Sequence, residues 1–355
     1  MNDDALFVHG GPDDGPPVRH DFSTNANACG PCPEVLAAVR RADAVRYPDP
    51  RYTALREALA AFHGVDAARI AIAASASEFI LRITAAVARQ GGRAVALPAH
   101  GYADCARAAR AWGLVGWDRQ PPGTDADAAP PDLVWQCDPS SPLGQPVPDL
   151  GGRIDALAPS STCVLDLAYE PLRLDGGLGL TPAQCDRVWR MWTPNKALGL
   201  TGVRAAYAIA PLDGPDLREG VARLAPSWSV GGHGVALLDG WRRASAQDWL
   251  ARSREVLCGW RASQWRVCAE LGWETRACVA NFLCVDPGVD DVGLWAGALR
   301  ARRIKVRDAA SFGLPGLCRV AVLPPPAQEA LRAATLSLAF PRRASLPASR
   351  SRRPS

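Results

Sequence analysis

Three groups of polar side chains with complementary chemistry stand next to short apolar runs in the middle of the chain. Asp166 lies at the end of one run, and Tyr169 follows three residues later. Thr193 and Lys196 come after the next run, and Arg204 begins a further run eight residues after the lysine. A carboxylate at the end of a buried strand is costly unless a positive or protonated group faces it. The pattern therefore predicts such a partner for Asp166.

These residue types are the ones that a pyridoxal phosphate cofactor requires. A lysine must form a Schiff base with it, activated by partial desolvation and neighbouring cations. An acid must face the pyridine nitrogen so that the ring can act as an electron sink, and donors must hold the phosphate. Taken singly, Asp166 is more typical of a surface loop and Lys196 of a solvated lysine. The set favours the cofactor site, because only two of the 40 basic residues are lysines, Lys196 and Lys305.

An alternation of strands and helices would place these residues along one edge of a sheet. From about residue 69, short apolar runs alternate with segments of helical periodicity, which is typical of a parallel sheet covered on both faces. In such sheets ligands bind at the carboxyl ends of the strands. The predicted strands include Ile70–Ala74, Ala94–Leu97, Leu133–Gln136 and Cys163–Leu167, and the predicted helices include Tyr52–Phe62, Phe79–Arg89 and Tyr102–Trp112.

Changes of pattern predict four regions. Residues 1–45 are an irregular Gly-, Pro- and Asn-rich arm followed by a helix, Pro33–Ala42, and residues 46–240 are the large domain. Residues 241–340 are a small α+β domain, and residues 341–355 (PRRASLPASRSRRPS) are a basic tail expected to be disordered. The small domain is predicted to contain a long helix, Ala244–Leu271, strands near Phe282–Val285 and Arg319–Val322, and a helix, Ala327–Ala334.

Composition excludes several functional classes. The net charge of +4 comes from five arginines after residue 341, so the rest of the chain carries 35 basic and 36 acidic residues and offers no basic stripe for nucleic acid. No uncharged apolar stretch reaches about 18 residues, so no membrane span is expected. Acids near the start argue against a signal peptide. We expect a cytoplasmic protein that binds a small molecule.

Eleven cysteines include one pair, Cys29 and Cys32, at the spacing of a redox or metal motif. A redox site requires a buried strand before the pair, whereas the preceding segment is polar. A zinc site requires a second cysteine pair or a histidine pair downstream, and the sequence has neither. The preferred interpretation is a Gly-Pro turn before a helix, and no metal is expected.

Three motifs resemble the fold-type I aminotransferase superfamily, in particular its histidinol-phosphate aminotransferase branch. They are Asp-x-Ala-Tyr at 166–169, Thr-x-x-Lys at 193–196 and Gly-Leu-x-Gly-x-Arg at 199–204, and the resemblance extends over roughly residues 9–336. It implies an α/β fold, with a mostly parallel sheet flanked by helices plus a small α+β domain, and a pyridoxal phosphate cofactor. By the same resemblance Lys196 forms the Schiff base, Asp166 pairs with the pyridine nitrogen and Tyr169 contacts the ring hydroxyl, while Thr193, Arg204, Ala76 and Ser77 bind the cofactor phosphate.

Further cofactor contacts follow from the same resemblance. Tyr47 matches a tyrosine that reaches the phosphate from a partner subunit, which implies a homodimer with shared sites. An aromatic side chain stacks on the ring, and Tyr102 is preferred, although its spacing from Pro98 departs from the family pattern by two residues, so His100 stays an alternative. Two positions depart from the family. Ser141 replaces an asparagine that contacts the ring hydroxyl, and Ser75 replaces a common glycine.

The substrate is indicated by the two ends of the chain. Arg319, after a Gly-Leu-Pro-Gly turn, matches the arginine that binds a substrate carboxylate, a role that suits a planar guanidinium. Arg307 is a candidate contact for a second anion. The arm that contains His9, Gly10 and Asn27 resembles that of L-threonine-O-3-phosphate decarboxylases of cobalamin synthesis. A histidine followed by two flexible glycines can place an imidazole and backbone amides around a substrate phosphate.

The resemblance implies decarboxylation of L-threonine O-3-phosphate to (R)-1-amino-2-propanol O-phosphate, with Lys196 as the proton donor. A histidinol-phosphate-type aminotransferase that uses 2-oxoglutarate is the alternative, because it shares every residue up to the protonation step. Two minor alternatives are a non-catalytic descendant, supported only by Ser141, and a thiol-disulfide protein that uses Cys29 and Cys32.

Overall fold

Helices and strands alternate along most of the chain in the computed structural model, which describes residues 9–117, 129–338, 340, 341 and 343. The strands are β1 (His20–Asp21), β2 (Ile70–Ala73), β3 (Ala94–Ala96), β4 (Val115–Trp117), β5 (Leu133–Cys137), β6 (Thr162–Asp166), β7 (Trp189–Trp192), β8 (Ala206–Ile209), β9 (Glu274–Thr275), β10 (Phe282–Asp286), β11 (Ile304–Lys305), β12 (Arg307–Asp308) and β13 (Cys318–Ala321). The helices are α1 (Pro33–Arg40), α2 (Thr53–His63), α3 (Ala76–Arg89), α4 (Ala103–Ala111), α5 (Leu150–Asp155), α6 (Pro182–Arg187), α7 (Pro194–Ala197), α8 (Pro215–Arg223), α9 (Gly232–Trp241), α10 (Ala244–Glu270), α11 (Val292–Ala301) and α12 (Pro325–Leu336).

Seven strands form the large sheet, in the order β2-β8-β7-β6-β5-β3-β4. The strands from β7 to β4 run parallel, as the sequence pattern predicts, whereas β8 is antiparallel to both of its neighbours. An antiparallel strand starts at the edge where its parallel neighbours end. Arg204, just before β8, therefore shares an edge of the sheet with Asp166, at the end of β6.

Apolar side chains cover both faces of this sheet, as expected for strands between two layers of helices. Successive residues of β8 alternate between the faces, because side chains of a strand point to opposite sides. One layer packs α3 against the sheet, and the other packs α2 and α9 against it; burial of each large side chain contributes about 2 kcal/mol. The first layer includes Phe79, Ile83, Trp189, Ala206 and Ala208, and the second includes Leu59, Tyr207, Ile209 and Leu237.

A second, antiparallel sheet of four strands, β12-β13-β10-β9, packs on α10, α11 and α12 near the end of the chain. Its middle strand β13 carries Arg319, which is paired in register with Cys284 of β10. The arm joins this region, because β1 pairs in parallel with β11 and Phe22 is completely buried in the same core. The boundaries at residues 45, 240 and 340 stay predictions, and the predicted tail lies almost entirely outside the described residues.

The cysteines give no support to a redox role for the Cys29–Cys32 pair. All eleven cysteines are free thiols. Burial raises the pKa of both Cys29 and Cys32, whereas a redox-active thiol needs a lowered pKa. Cys32 directly precedes α1, and Gly30 has a φ of +91°, so the segment is the turn that the sequence indicates. Within the described ranges, no helix combines the length and apolarity needed to cross a membrane.

Candidate active site

A cavity of about 570 Å³ opens between the carboxyl edge of the large sheet, the arm and β13. All of the residues predicted for the site line it except Asn27 and Tyr47. They come from distant parts of the chain: His9, Gly10, Ala76, Ser77, Tyr102, Ser141, Asp166, Tyr169, Thr193, Lys196, Arg204, Arg307 and Arg319. The sheet is what assembles them, because β2, β5, β6 and β7 all end at this edge and β8 begins there.

Asp166 and Lys196 face the cavity from neighbouring strands. The Asp166 carboxylate accepts the backbone N–H of Ala168 at 2.9 Å, and burial raises its pKa. Lys196 lies in the short helix α7, with its Nζ 3.4 Å from Thr193 Oγ1 and 5.5 Å from the centre of the Tyr169 ring. Among the described residues, no basic side chain forms an ion pair with Asp166. The charge of Lys196 lowers the pKa of Asp166, but burial outweighs it. The carboxylate therefore still lacks the directly paired cation that the sequence predicts.

The start of α3 provides a cradle for an anion. Ser75 caps this 14-residue helix by accepting the Glu78 N–H at 3.1 Å, and Ala76 and Ser77 form its first turn. Free amides at the start of a helix attract anions. The hydroxyl groups of Ser77 and Thr193 and the guanidinium of Arg204 border the same cavity. Amides, hydroxyls and a guanidinium form a donor set suited to a phosphate dianion.

Tyr102, rather than His100, is the aromatic residue that borders this cradle. Its hydroxyl lies 3.1 Å from Ser77 Oγ, and burial raises the pKa of Tyr102 to about 12. His100 is absent from the cavity lining and places its Nδ1 2.9 Å from the carbonyl oxygen of Phe312. The neutral phenol of Tyr102 is thus the available ring for stacking on a planar cofactor.

Two arginines form the opposite, cationic wall. Arg319 Nη1 donates to Ser141 Oγ at 3.1 Å, and its Nη2 donates to the Ser23 carbonyl oxygen at 3.2 Å. Burial lowers the pKa of Arg319, while burial and the charge of Arg319 lower the pKa of Arg307 to about 10. Both guanidinium groups lie against the ring of Phe312. Two buried like charges side by side favour an anionic ligand between or beside them.

The arm closes the cavity at this wall. The His9 ring lies 5.9 Å from the Tyr102 ring, centre to centre. Gly10 packs so closely on the arm that an added Cβ would lie 2.1 Å from the Ser23 carbonyl oxygen, so only glycine fits. Gly11, with a φ of +95°, donates its N–H to Ser23 Oγ at 2.9 Å. The two glycines therefore let the chain fold back on itself and bring His9 into the cavity.

Two predicted site residues point elsewhere in this chain. Asn27 is buried, and its side-chain amide donates to the Ala197 carbonyl oxygen at 3.0 Å, while its backbone N–H donates to that of Lys196. It thus supports the turn that carries the lysine and does not reach the substrate space. Tyr47 is 78% exposed and stacks on Trp228 at 4.4 Å, outside the cavity.

Several cavity residues were not singled out from the sequence. Asn25 is buried with its Nδ2 3.4 Å from the Tyr169 hydroxyl, and its Oδ1 has no partner in the described part of the chain. Asp104 and Arg107 pair at 2.8 Å in the first turns of α4. The only sequence signals were a polar residue three positions after the buried Phe22 and an i,i+3 charge pair, and both patterns are common on solvated surfaces.

The arrangement fits pyridoxal phosphate on its own chemistry. It combines a buried carboxylate that forms no ion pair with any described residue, a lysine near a hydroxyl and an aromatic ring, and a phosphate-type donor set at a helix start. Asp166 would face the ring nitrogen, Lys196 would bind the cofactor covalently, and Ala76, Ser77, Thr193 and Arg204 would hold its phosphate. These roles correspond to those that the family resemblance implies.

Replacing Ser141 by alanine is expected to weaken binding of the substrate carboxylate. The mutation removes the hydroxyl that accepts from Arg319, and a hydrogen bond to a charged group contributes about 1.5–3 kcal/mol. We expect KM for the amino acid substrate to rise about 10-fold, with little change in kcat. Steady-state kinetics on the loaded enzyme measure this. An unchanged KM with weaker cofactor binding would instead assign Ser141 to the ring hydroxyl.

Known proteins show the same fold and sequence pattern. The family model for class I and II aminotransferases matches residues 20–149. The chain is 31% identical over 320 residues to the histidinol-phosphate aminotransferase of Ruegeria pomeroyi, covering 85% of this chain and 86% of that one. The corresponding enzyme of Granulibacter bethesdensis is 29% identical over 321 residues, with 85% and 84% covered.

Two solved structures share the fold. The histidinol-phosphate aminotransferase of Sinorhizobium meliloti, in complex with pyridoxal 5'-phosphate, superposes with a TM-score of 0.72 at 23% identity, covering 94% of this chain and 96% of that one. The L-threonine-O-3-phosphate decarboxylase of Porphyromonas gingivalis gives 0.68 at 20% identity, covering 85% and 92%. With the mixed sheet and the cavity described above, these similarities mean that the chain belongs to the class I and II aminotransferase family of fold-type I, pyridoxal-phosphate-dependent enzymes.

Proposed function

We propose that the enzyme decarboxylates L-threonine O-3-phosphate, giving (R)-1-amino-2-propanol O-phosphate and carbon dioxide. The observation that carries this proposal is the position of His9 and Gly10. They line the same cavity as Lys196, Arg307 and Arg319. A substrate with a carboxylate at one end and a phosphate at the other matches a wall that offers two guanidinium groups and an imidazole.

The residues of this wall divide between the two anionic groups. Arg319 binds the carboxylate and orients the bond from Cα to the carboxyl carbon. Arg307 and His9 bind the phosphate, and the tight turn at Gly10 brings the arm amides near it. Two separate anion contacts fix the position and direction of the substrate's long axis, and a planar guanidinium–carboxylate contact limits rotation about it, which is how positioning lowers a barrier.

The chemistry at Cα then needs a proton. Pyridoxal phosphate, when bound, supplies an electron sink conjugated to Cα. The bond to the carboxyl carbon breaks, carbon dioxide leaves, and the electron pair stays with Cα until one proton is added there. Lys196 Nζ is the donor with access to this position, and Asp166 keeps a positive charge on the ring nitrogen favourable. Asn25, next to Tyr169, borders the reacting region.

The exposed position of Tyr47 supports a homodimer as part of this proposal. Its ring stacks on Trp228, and the Trp228 indole N–H donates to the Pro48 carbonyl oxygen at 3.1 Å, which holds the segment in a fixed outward position. A tyrosine fixed at the surface of its own subunit is placed to reach a second copy. We infer that Tyr47 contacts the cofactor phosphate of the partner.

A second candidate is a histidinol-phosphate aminotransferase that uses 2-oxoglutarate or glutamate. The observation that favours it is the 31% identity with an enzyme of that name over most of both chains. Histidinol phosphate also has a phosphate for His9 and Arg307. It lacks a carboxylate, so Arg319 would serve only the glutamate half of the cycle.

A paired assay separates the two candidates. Protein loaded with pyridoxal phosphate is given L-threonine O-3-phosphate in one tube and followed for carbon dioxide and aminopropanol phosphate. A second tube receives histidinol phosphate with 2-oxoglutarate and is followed for glutamate. We expect carbon dioxide without glutamate. Glutamate without carbon dioxide would overturn the decarboxylase proposal.

A further inference from the structure

Lys305, the second of the two lysines, binds the N-terminal arm. It is buried in β11, and its ammonium donates to the Gly11 carbonyl oxygen and to Asp13 Oδ2, the latter at 2.6 Å. Its backbone carbonyl accepts the Phe22 N–H at 2.7 Å. One residue therefore binds the arm at two places, residues 11–13 through its side chain and residue 22 through its backbone.

Arg300, from the end of α11, completes this contact. Its Nη2 donates to Asp13 Oδ1 at 2.5 Å and its Nη1 to Asp13 Oδ2 at 2.8 Å, and it also donates to the Pro16 carbonyl oxygen at 3.0 Å. The carboxylate of Asp13 thus faces two cations. The hydrogen bonds from Arg300 and Lys305 hold the pKa of Asp13 well below its usual range.

The cluster of Lys305, Asp13 and Arg300 is connected to the cavity through Gly11 and Ser23. Gly11, which accepts from Lys305, donates its own N–H to Ser23 Oγ, and the Ser23 carbonyl accepts from Arg319. His9 lies two residues before the anchored Gly11 and lines the cavity. The positions of His9 and of the Arg319 guanidinium are therefore linked, because Gly11 and Arg319 both bind Ser23.

Burying an ammonium group costs more free energy than burying an apolar side chain at the same place in a strand. Removing a charge from water costs free energy unless it is paired, and an apolar side chain at the same strand position usually stabilises as well or better. Lys305 neighbours Ile304 and Val306, which are buried apolar residues. A lysine at this position is thus better explained by what it binds than by packing.

We propose that Lys305, with Asp13 and Arg300, is a positioning clamp that sets His9 and Gly10 against the phosphate end of the substrate. The identity of that end rests on the proposed function. The clamp does not touch the reacting atoms, so it contributes to substrate binding rather than to the chemical step.

Two variants test the clamp, with a third as control. Lys305→Met keeps the length of the buried stem and removes the charge, while Asp13→Asn alters the exposed partner. Arg332→Met removes a cation of the exposed pair Arg332–Glu329 (2.8 Å) in α12, away from the arm. Each enzyme is assayed with whichever phosphorylated substrate it turns over, L-threonine O-3-phosphate or histidinol phosphate, and with the same compound without its phosphate. Hydrogen exchange of amides 9–24 is followed in parallel.

We expect Lys305→Met and Asp13→Asn to raise KM for the phosphorylated substrate about 10-fold, with kcat within about 3-fold. Constants for the unphosphorylated compound should not change, exchange at residues 9–13 should quicken, and the control should match the wild type. An equal loss with both compounds, or unchanged exchange and KM, would overturn the clamp.

If Lys305→Met does not fold, Asp13→Asn gives the same comparison. If neither substrate is turned over, the proposed function fails, and the exchange data still decide whether the clamp holds the arm.

Discussion

Replacing Lys196 by alanine is expected to abolish turnover, with a loss of at least about 10⁴-fold. Among the described residues, the lysine supplies the only amine that lines the cavity. Its Nζ lies 3.4 Å from Thr193 Oγ1 and 5.5 Å from the centre of the Tyr169 ring. Its removal takes away both the covalent bond to the cofactor and the proton donor at Cα. Because these two roles act in sequence on the same turnover, no neighbouring side chain replaces them.

Covalent labelling tests this directly. Loaded protein is reduced with borohydride, digested, and analysed by mass spectrometry for the peptide that carries pyridoxyl. The wild type should be labelled at Lys196 and Lys196→Ala nowhere. Lys305→Met is the matched control, since it removes the only other lysine, and should be labelled like the wild type. Label that survives in Lys196→Ala at Lys305 would show that the cofactor lysine has been assigned wrongly.

The fold was largely accessible from the sequence because its signals are local. Apolar runs of four or five residues between periodic helical segments locate β3, β5 and β6 within one residue of their ends. The rhythm of strand and helix fixes the parallel arrangement, since a parallel pair needs a crossover. The direction of β8 was not accessible in this way, because the short connection after α7 does not show by its composition which way the next strand runs.

The site residues were predictable to the extent that they stand at strand ends. Asp166 ends β6 and Lys196 closely follows β7, so the predicted parallel strands place both at one edge, and both line the cavity. Arg204 also lines it, but it was predicted from its residue type and the family motif, because its edge depends on the direction of β8. The direction of a side chain in an irregular segment is not encoded in this way. Asn25 and Asn27 are two residues apart and would share a side in a regular strand. In the arm, however, the first borders the cavity and the second binds the Ala197 carbonyl.

Contacts between distant segments were the least accessible. Ser141 stands where the family has an asparagine, and only the structure shows that its hydroxyl accepts from Arg319, 178 residues away. Lys305 was notable only as one of two lysines. Its partner Asp13 lies 292 residues earlier, and the polar arm gives no pattern that selects one aspartate over another.

Replacing Asp166 by asparagine is expected to have two effects of opposite sign. Activity should fall about 10³-fold, because the amide cannot balance a positive charge on the ring nitrogen. The protein without cofactor should gain about 1 kcal/mol in stability at neutral pH. The amide keeps an oxygen for the Ala168 N–H and removes a buried charge that forms no ion pair with any described residue.

The pH dependence of the second effect gives the decisive comparison. Burial raises the pKa of Asp166 in the folded chain, so the folded state holds its proton more tightly than the unfolded state does. Its contribution to stability is complete below the ordinary carboxyl pKa of about 4 and is lost as pH rises through the raised value. Thermal unfolding of the cofactor-free proteins should therefore show that the difference in Tm between Asp166→Asn and the wild type increases from acid to neutral pH.

This difference in Tm, the gap, should close or reverse when pyridoxal phosphate is bound, since the cofactor supplies a cation that pairs with Asp166. A gap that is constant with pH would mean that Asp166 is already neutralised by the protein, and the ring nitrogen would need another partner.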